Sequence, residues 1–324
     1  MLMKFIAKMY IKKILHGSNK DPFVLMYHRV LTEGELLDYP IQPGMYVKKE
    51  TFKMNIDFLQ NNYDILPLDK LLNLVFMGKN MSNCCAITFD DGWYDNYFNA
   101  YDVLLKKNTP ASFFITTSYI DGNRKTWCEI VSDFLCLNQK EIKDACKKLY
   151  LPRELEKILF SNSSRSFKLT YIVQIMKHYD EFKRNYIVSG MKRYICANKH
   201  KSNNMLNWDQ INEMKGSSLC DFYSHSHSHE LLNYKSSNFI KSDLEKSMYI
   251  IKKNIQIDDL PIFSYPSGRF DERVINILKN LGVKYSLTTQ RGHFNNKSDT
   301  YMINRIGIHE NIANTYNKIM ININ

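Results

Sequence analysis

Two groups of residues in this sequence have the types and the spacing to do chemistry. Thr88-Phe89-Asp90-Asp91-Gly92 sets two carboxylates side by side ahead of a glycine. Neighbouring carboxylates repel, so holding both in one turn is costly unless a cation compensates. The plain alternative is an ordinary turn, for which Asp and Gly are common choices. The second group, Ser224-His225-Ser226-His227-Ser228-His229, carries three of the nine histidines. Imidazole is a common ligand of zinc and related ions, and closely spaced histidines converge easily on one ion; the alternative is a polar loop of solvated histidines. Two histidines and one carboxylate leave positions on a cation open, as hydrolysis requires, and a second carboxylate would be free to take a proton from water. Spacing alone supports a metallohydrolase and nothing finer.

The elements around these groups suit such a site. Phe23-Val24-Leu25-Met26-Tyr27 reads as a buried strand that delivers His28 at its C-terminal end, and Cys84-Cys85-Ala86-Ile87-Thr88-Phe89 as a second that ends at Asp90. Helical spacing over 50–77 and a helix over roughly 94–107 are expected between and after them. Further strands are expected at 111–116, 219–223, 262–265 and 283–287, with a helix over about 271–281. Short apolar strands alternating with longer helices imply βαβ units and a parallel sheet or barrel, in which catalytic groups collect at the C-terminal strand ends. Residues 128–205 read differently, Lys- and Glu-rich with helical periodicity, as a helical insertion within a single domain of 1–324.

Composition sets the limits. With 324 residues, 44% hydrophobic and 13% aromatic, the chain has the makings of a globular core. Its net charge of +11 would suit nucleic acid, an anionic membrane or a phosphorylated substrate. Lysine is spread along the chain without an RGG tract, zinc-finger spacing or basic heptads, so nucleic acid is not expected as a partner. Seven cysteines without a CxxC pair argue against a disulfide framework and point to a reducing compartment. The N-terminal stretch interrupts its apolar residues with Lys4, Lys8, Lys12 and Lys13 and lacks the ~7–15-residue apolar run of a signal peptide. A cytoplasmic location is expected. A basic N-terminal helix of this kind could rest on the inner face of a membrane, although such a stripe is more often an ordinary packed helix.

The two motifs, in this order, resemble those of the polysaccharide deacetylase family (NodB-like, carbohydrate esterase family 4). Leu25-Met26-Tyr27-His28-Arg29-Val30, Thr109-Pro110-Ala111-Ser112-Phe113-Phe114 and Asn207-Trp208-Asp209-Gln210 resemble it as well, so the similarity covers roughly 23–127 and 205–310. The resemblance implies a distorted (β/α) barrel with the helical insertion near its mouth. It implies Asp91, His225 and His229 as ligands of a divalent metal, zinc by preference, with Asp90 as general base and His227 outside the ligand set. Phe263-Ser264-Tyr265-Pro266-Ser267-Gly268 resembles the third motif, which forms one wall of the groove. Tyr265, Pro266 and Ser267 are therefore expected at the substrate, with the Ser267 N–H helping to hold an oxyanion. Ser264 stands where many members carry an arginine that orients the base, a task left to Arg305 or Arg269. His28 is expected as general acid, with His309 in reserve.

The function so implied is hydrolysis of an N-acetyl group from an amino sugar of a cell-surface glycan or of its lipid- or nucleotide-linked precursor. Without an export signal the precursor is the better expectation, and the basic surface would suit its phosphates. A deformylase on a lipid-linked amino sugar and a non-catalytic glycan-binding protein are the alternatives.

Overall fold

The computed structural model describes residues 21–120, 125–195 and 205–323, without the side chains of Asp38 and Glu181. The N-terminal basic helix expected from the sequence lies outside these residues. No helix among them is long and apolar enough to cross a membrane.

The centre is a parallel sheet in the order β10-β1-β5-β6-β7-β8-β9, made of β1 (Phe23–Tyr27), β5 (Cys84–Asp91), β6 (Ala111–Ile115), β7 (Cys220–Ser224), β8 (Ile262–Ser264), β9 (Tyr285–Leu287) and β10 (Ile306–Gly307). The two-residue β4 (Asp64–Ile65) pairs with the start of β5, and β2 (Arg29–Leu31) with β3 (Tyr46–Lys48) forms a separate small sheet. The sheet curls on itself and helices cover its outside, giving a distorted (β/α) barrel. Such strands are buried on both faces, which explains why β1, β5 and β6 read as unbroken apolar runs.

One face of the central strands carries an aromatic row. Phe89, Phe113 and Phe222 lie in register on β5, β6 and β7, with ring centroids 4.9 and 5.3 Å apart. Tyr27 on β1 and Phe52 of the helix Lys49–Asn62 extend the row, so this face meets the helical layer. Burying each such ring stabilises the fold by roughly 1.5–3 kcal/mol. Side chains alternate along a strand, so Thr88 and Asp90 point the other way, into the barrel.

The helical segments differ from expectation in detail. The periodicity over 50–77 resolves into two helices, Lys49–Asn62 and Leu68–Phe76, separated by β4. The helix after Asp91 begins as a π-helix over Asn96–Tyr101 and becomes α-helical over Asp102–Lys107. Between β6 and β7 lie Trp127–Leu135, Gln139–Leu149, Arg153–Leu159, Arg165–Lys177 and Glu181–Lys192, which bury their own apolar cluster around Phe134, Leu155, Ile172 and Met176. Thr126 with Glu129, and Asn138 with Glu141, form capping boxes that start the first two of these helices. The first is tied to the barrel by the Tyr39 hydroxyl, which donates to Asp133 Oδ1 at 2.8 Å.

Candidate active site

Sheet register brings the two sequence motifs together. Asp91 pairs with Ile115 and Ile115 with Ser224, so the end of β5 and the end of β7 lie in one row across β6. The His225 N–H continues that row by donating to Ile115 O at 3.0 Å. Tyr27 pairs with Phe89 on the other side of β5, so one further residue along each strand sets His28 against Asp90.

Strict alternation would send Asp91 outward with Phe89. Its backbone instead takes the left-handed region at φ 79°, where a non-glycine residue is uncommon and held only by its surroundings. Adjacent carboxylates thereby serve one site. His229 and Ser226 also have positive φ, at 58° and 69°. The turn that carries them is fixed by the Ser226 hydroxyl, which accepts the His229 N–H at 2.9 Å. Asp243, on the helix Ser237–Ile255, accepts the backbone N–H of His227 and of Ser228 at 2.9 and 3.1 Å.

One ligand atom from each of Asp91, His225 and His229 falls within 4.8 Å of the others. His229 Nε2 and His225 Nε2 approach Asp91 Oδ1 at 3.3 and 3.6 Å. The donor chemistry suits a divalent cation. Ser264 O lies 2.8 Å from His225 Nδ1, which donates to it as the N–H tautomer and so leaves the Nε2 lone pair free. The Trp93 indole N–H donates to Asp91 Oδ2 at 2.9 Å and leaves Oδ1 facing the imidazoles. Burial pushes His225 down to about 4, which keeps its ring neutral and able to ligate. Burial also works against a charged His229, but the hydrogen bond and charge of Asp91 outweigh it and raise this histidine. The Asp91 carboxyl is held well below the usual range, its burial overcome by the hydrogen bond and charge of His229. His227 turns aside, with Nδ1 2.9 Å from the Thr117 hydroxyl.

Asp90 is handled differently. Arg305 is fully buried and spans it with two bonds, Nη1 to Oδ1 and Nη2 to Oδ2, both 2.7 Å. The same guanidinium donates from Nη2 to Ser264 Oγ at 2.8 Å and from Nε to Thr288 O at 2.9 Å. Burial would raise the Asp90 carboxyl, but the charge and hydrogen bonds of Arg305 outweigh it and hold it lowered and ionised. Of the two arginines expected to orient Asp90, Arg305 makes the contact, while Arg269 is exposed.

His28 is partly exposed, and its carbonyl accepts from Asn96 Nδ2 at 2.8 Å. His309 follows β10 and is half-buried with no hydrogen-bond partner for Nδ1 among the described residues; burial lowers it. Tyr265 does not face the groove. It is fully buried, stacks on Phe270 at 4.4 Å and donates its hydroxyl to Tyr301 O at 3.1 Å. Pro266 is buried as well, so the wall expected of this turn falls to Ser267, exposed and left-handed at φ 52°. The sequence reading missed Trp93 and Asp243. Trp93 sits two residues past Asp91, a spacing that could have flagged it, whereas nothing local marks Asp243.

A parallel barrel with an Arg-clamped carboxylate beside an Asp-His-His cluster at its mouth has the form of a hydrolase of the carbohydrate esterase type. The family profile described as polysaccharide deacetylase matches residues 78–148 and 168–286, and the chain belongs to this family, carbohydrate esterase family 4. It is 26% identical over 311 residues to the poly-beta-1,6-N-acetyl-D-glucosamine N-deacetylase of Staphylococcus epidermidis, covering 91% of this chain and 81% of that one. Among solved structures, the Streptococcus pyogenes deacetylase PplD in complex with acetate aligns with a TM-score of 0.61 at 17% identity, over 95% of this chain and all of that one (100%). IcaB from Ammonifex degensii aligns with a TM-score of 0.59 at 16% identity, over 93% and 96% of the two chains. At these identities the structural matches establish the fold.

Proposed function

We propose that this protein is a divalent-cation-dependent N-deacetylase that releases acetate from an N-acetylated amino sugar of a glycan. The convergence of Asp91, His225 and His229 beside the Arg305-clamped Asp90 carries the reading. A cation held by Asp91, His225 and His229, zinc by preference, would polarise the acetamide carbonyl and acidify water. Asp90, held ionised and oriented by Arg305, accepts the proton of the attacking water. The backbone N–H of Ser267 helps to hold the oxyanion, a role that does not depend on its side chain. His28 returns a proton to the leaving amine; it is preferred to His309 because the pairing of Tyr27 with Phe89 sets it beside Asp90.

Similarity to the staphylococcal enzyme over 91% of the chain supports a polymer of N-acetylglucosamine as substrate. The net charge of +11 favours a second reading, a lipid- or nucleotide-linked precursor whose phosphates meet a basic surface, in the cytoplasm or at the inner face of the membrane. Acetate release from β-1,6-linked N-acetylglucosamine oligomers, from UDP- and undecaprenyl-linked N-acetyl sugars and from N-formyl counterparts separates these. The assay should be combined with metal analysis of the purified protein. Formate release faster than acetate release would make it a deformylase, and glycan binding without release of either would refute the enzymatic reading.

A further inference from the structure

Behind Asp91 lies a buried set of groups to which the mechanism gives no task. The Trp93 indole N–H donates to Asp91 Oδ2 at 2.9 Å. The Arg29 guanidinium lies over the Trp93 ring, 4.5 Å from its centroid. Asp95 fixes this arginine, accepting from its Nε at 2.8 Å and from the Val30 N–H at 2.7 Å. Trp93, Arg29 and Asp95 are only 7%, 9% and 1% exposed, so all three are withdrawn from solvent. The backbone is held too: Trp93 forms an isolated antiparallel bridge with Met205, and Gly92 O accepts the Leu206 N–H at 2.9 Å.

Burying a charged pair next to an acidic site needs a reason beyond stability, since a buried ion pair of this kind is often no better for the fold than apolar side chains of similar volume. The geometry points to Trp93, braced by Arg29 and Asp95, as a positioning residue that fixes which oxygen of Asp91 faces the two imidazoles. With Oδ2 taken by the indole, Oδ1 alone is presented to His225 Nε2 and His229 Nε2. A one-oxygen ligand leaves more of a cation's positions open for water and carbonyl than a carboxylate that turns both oxygens inward. The cation over the indole ring draws on its electron density and strengthens the N–H as a donor. Gly92, at φ 89°, lets the chain make this close turn; a Cβ there would lie 3.1 Å from the Ile115 side chain.

This inference rests on the cation reading of the site, and its test separates the two. Metal-free wild type, Trp93→Phe and His225→Ala are titrated with zinc by calorimetry, and the thermal midpoint of each metal-free protein is measured. The phenylalanine keeps an aromatic ring under Arg29 and removes the donor together with part of the indole's volume. Trp93→Phe is expected to bind one zinc with affinity reduced roughly 10–100-fold, the effect of losing a partner behind a ligand, and to have a lower metal-free midpoint from the lost volume and hydrogen bond. Zinc affinity within twofold of wild type would overturn the inference and leave the cation reading standing. Tight wild-type binding that survives in His225→Ala, or no wild-type binding, would overturn both. Should Trp93→Phe not fold, the wild type still decides: in 15N-labelled protein, one of the three tryptophan indole N–H resonances should exchange slowly with solvent and shift on adding zinc. If none responds, the inference fails.

Discussion

Arg305 and Asp90 meet through a planar fork, which a lysine ammonium cannot reproduce. Arg305→Lys should therefore keep the charge, lose the orientation and lower kcat at unchanged zinc content. Its loss should be smaller than the roughly 10²–10⁴-fold expected for Asp90→Asn, which removes the base itself. A Lys variant with wild-type kcat would show that orientation by the fork is unimportant. Truncation to alanine is a poorer probe, because an uncompensated buried carboxylate costs about 3–5 kcal/mol of stability. Asp91→Asn should instead weaken zinc binding, so that added zinc restores part of its activity; rescue of Asp90→Asn rather than Asp91→Asn would reverse the two roles. Protons compete with the cation at His229, which Asp91 raises in the metal-free protein. A raised histidine holds its proton to higher pH and must release it to ligate. Apparent zinc affinity should accordingly climb with pH through the raised His229 value and level off above it, while His225, lowered to about 4, contributes no step at neutral pH. Calorimetric titration across pH, in buffers of different ionisation enthalpy, counts the released proton; a flat profile would exclude this competition.

Among elements, the turn from Ser224 to His229 has most to lose. It places His229 in a left-handed conformation and relies on the carboxylate of Asp243 to accept two backbone N–H groups. Asn at position 243 can accept with only one oxygen and would turn its NH2 toward the other N–H. Asp243→Asn should lose about 1–3 kcal/mol in denaturant unfolding, the cost of an unsatisfied buried donor, and the rise in thermal midpoint on adding zinc should shrink with it. A loss of stability with an undiminished zinc effect would show that the turn does not depend on Asp243 for its ligand geometry. The aspartate is 6% exposed and the helix bearing it starts eight residues after the last histidine of the motif, so no local pattern identifies it.

At the scale of the whole molecule, the five helices from Trp127 to Lys192 supply none of the matched motif residues, yet they reach the mouth of the barrel. Arg184 lies 5.7 Å from the centroid of the Trp127 ring and pairs with Glu230 at 3.8 Å, directly after His229. Such a position suits control of what enters the site more than the chemistry within it. Replacing residues 130–203 with a short linker should leave zinc stoichiometry intact and abolish acetate release from the native sugar. A shortened protein that folds and keeps its substrate preference would assign the helices another role.

What the sequence determined by itself is the set of strands and the groups they deliver. Apolar runs ending at His28, Asp90 and the residue before His225 encode a parallel sheet whose reactive groups lie at one edge, because strand periodicity and burial are properties of short stretches. The choice among long-range partners was not encoded that way. Arg305 rather than Arg269 clamps Asp90, across 215 positions of chain, because closure of the sheet carries β10 beside β1 and buries the guanidinium inside the barrel. The packing sends the Tyr265 ring into the core and leaves Ser267 at the surface. It also turns His227 toward Thr117 while its two neighbouring histidines converge on Asp91. Each of these outcomes depends on which surfaces meet when the strands assemble, and spacing along one segment carries no information about that.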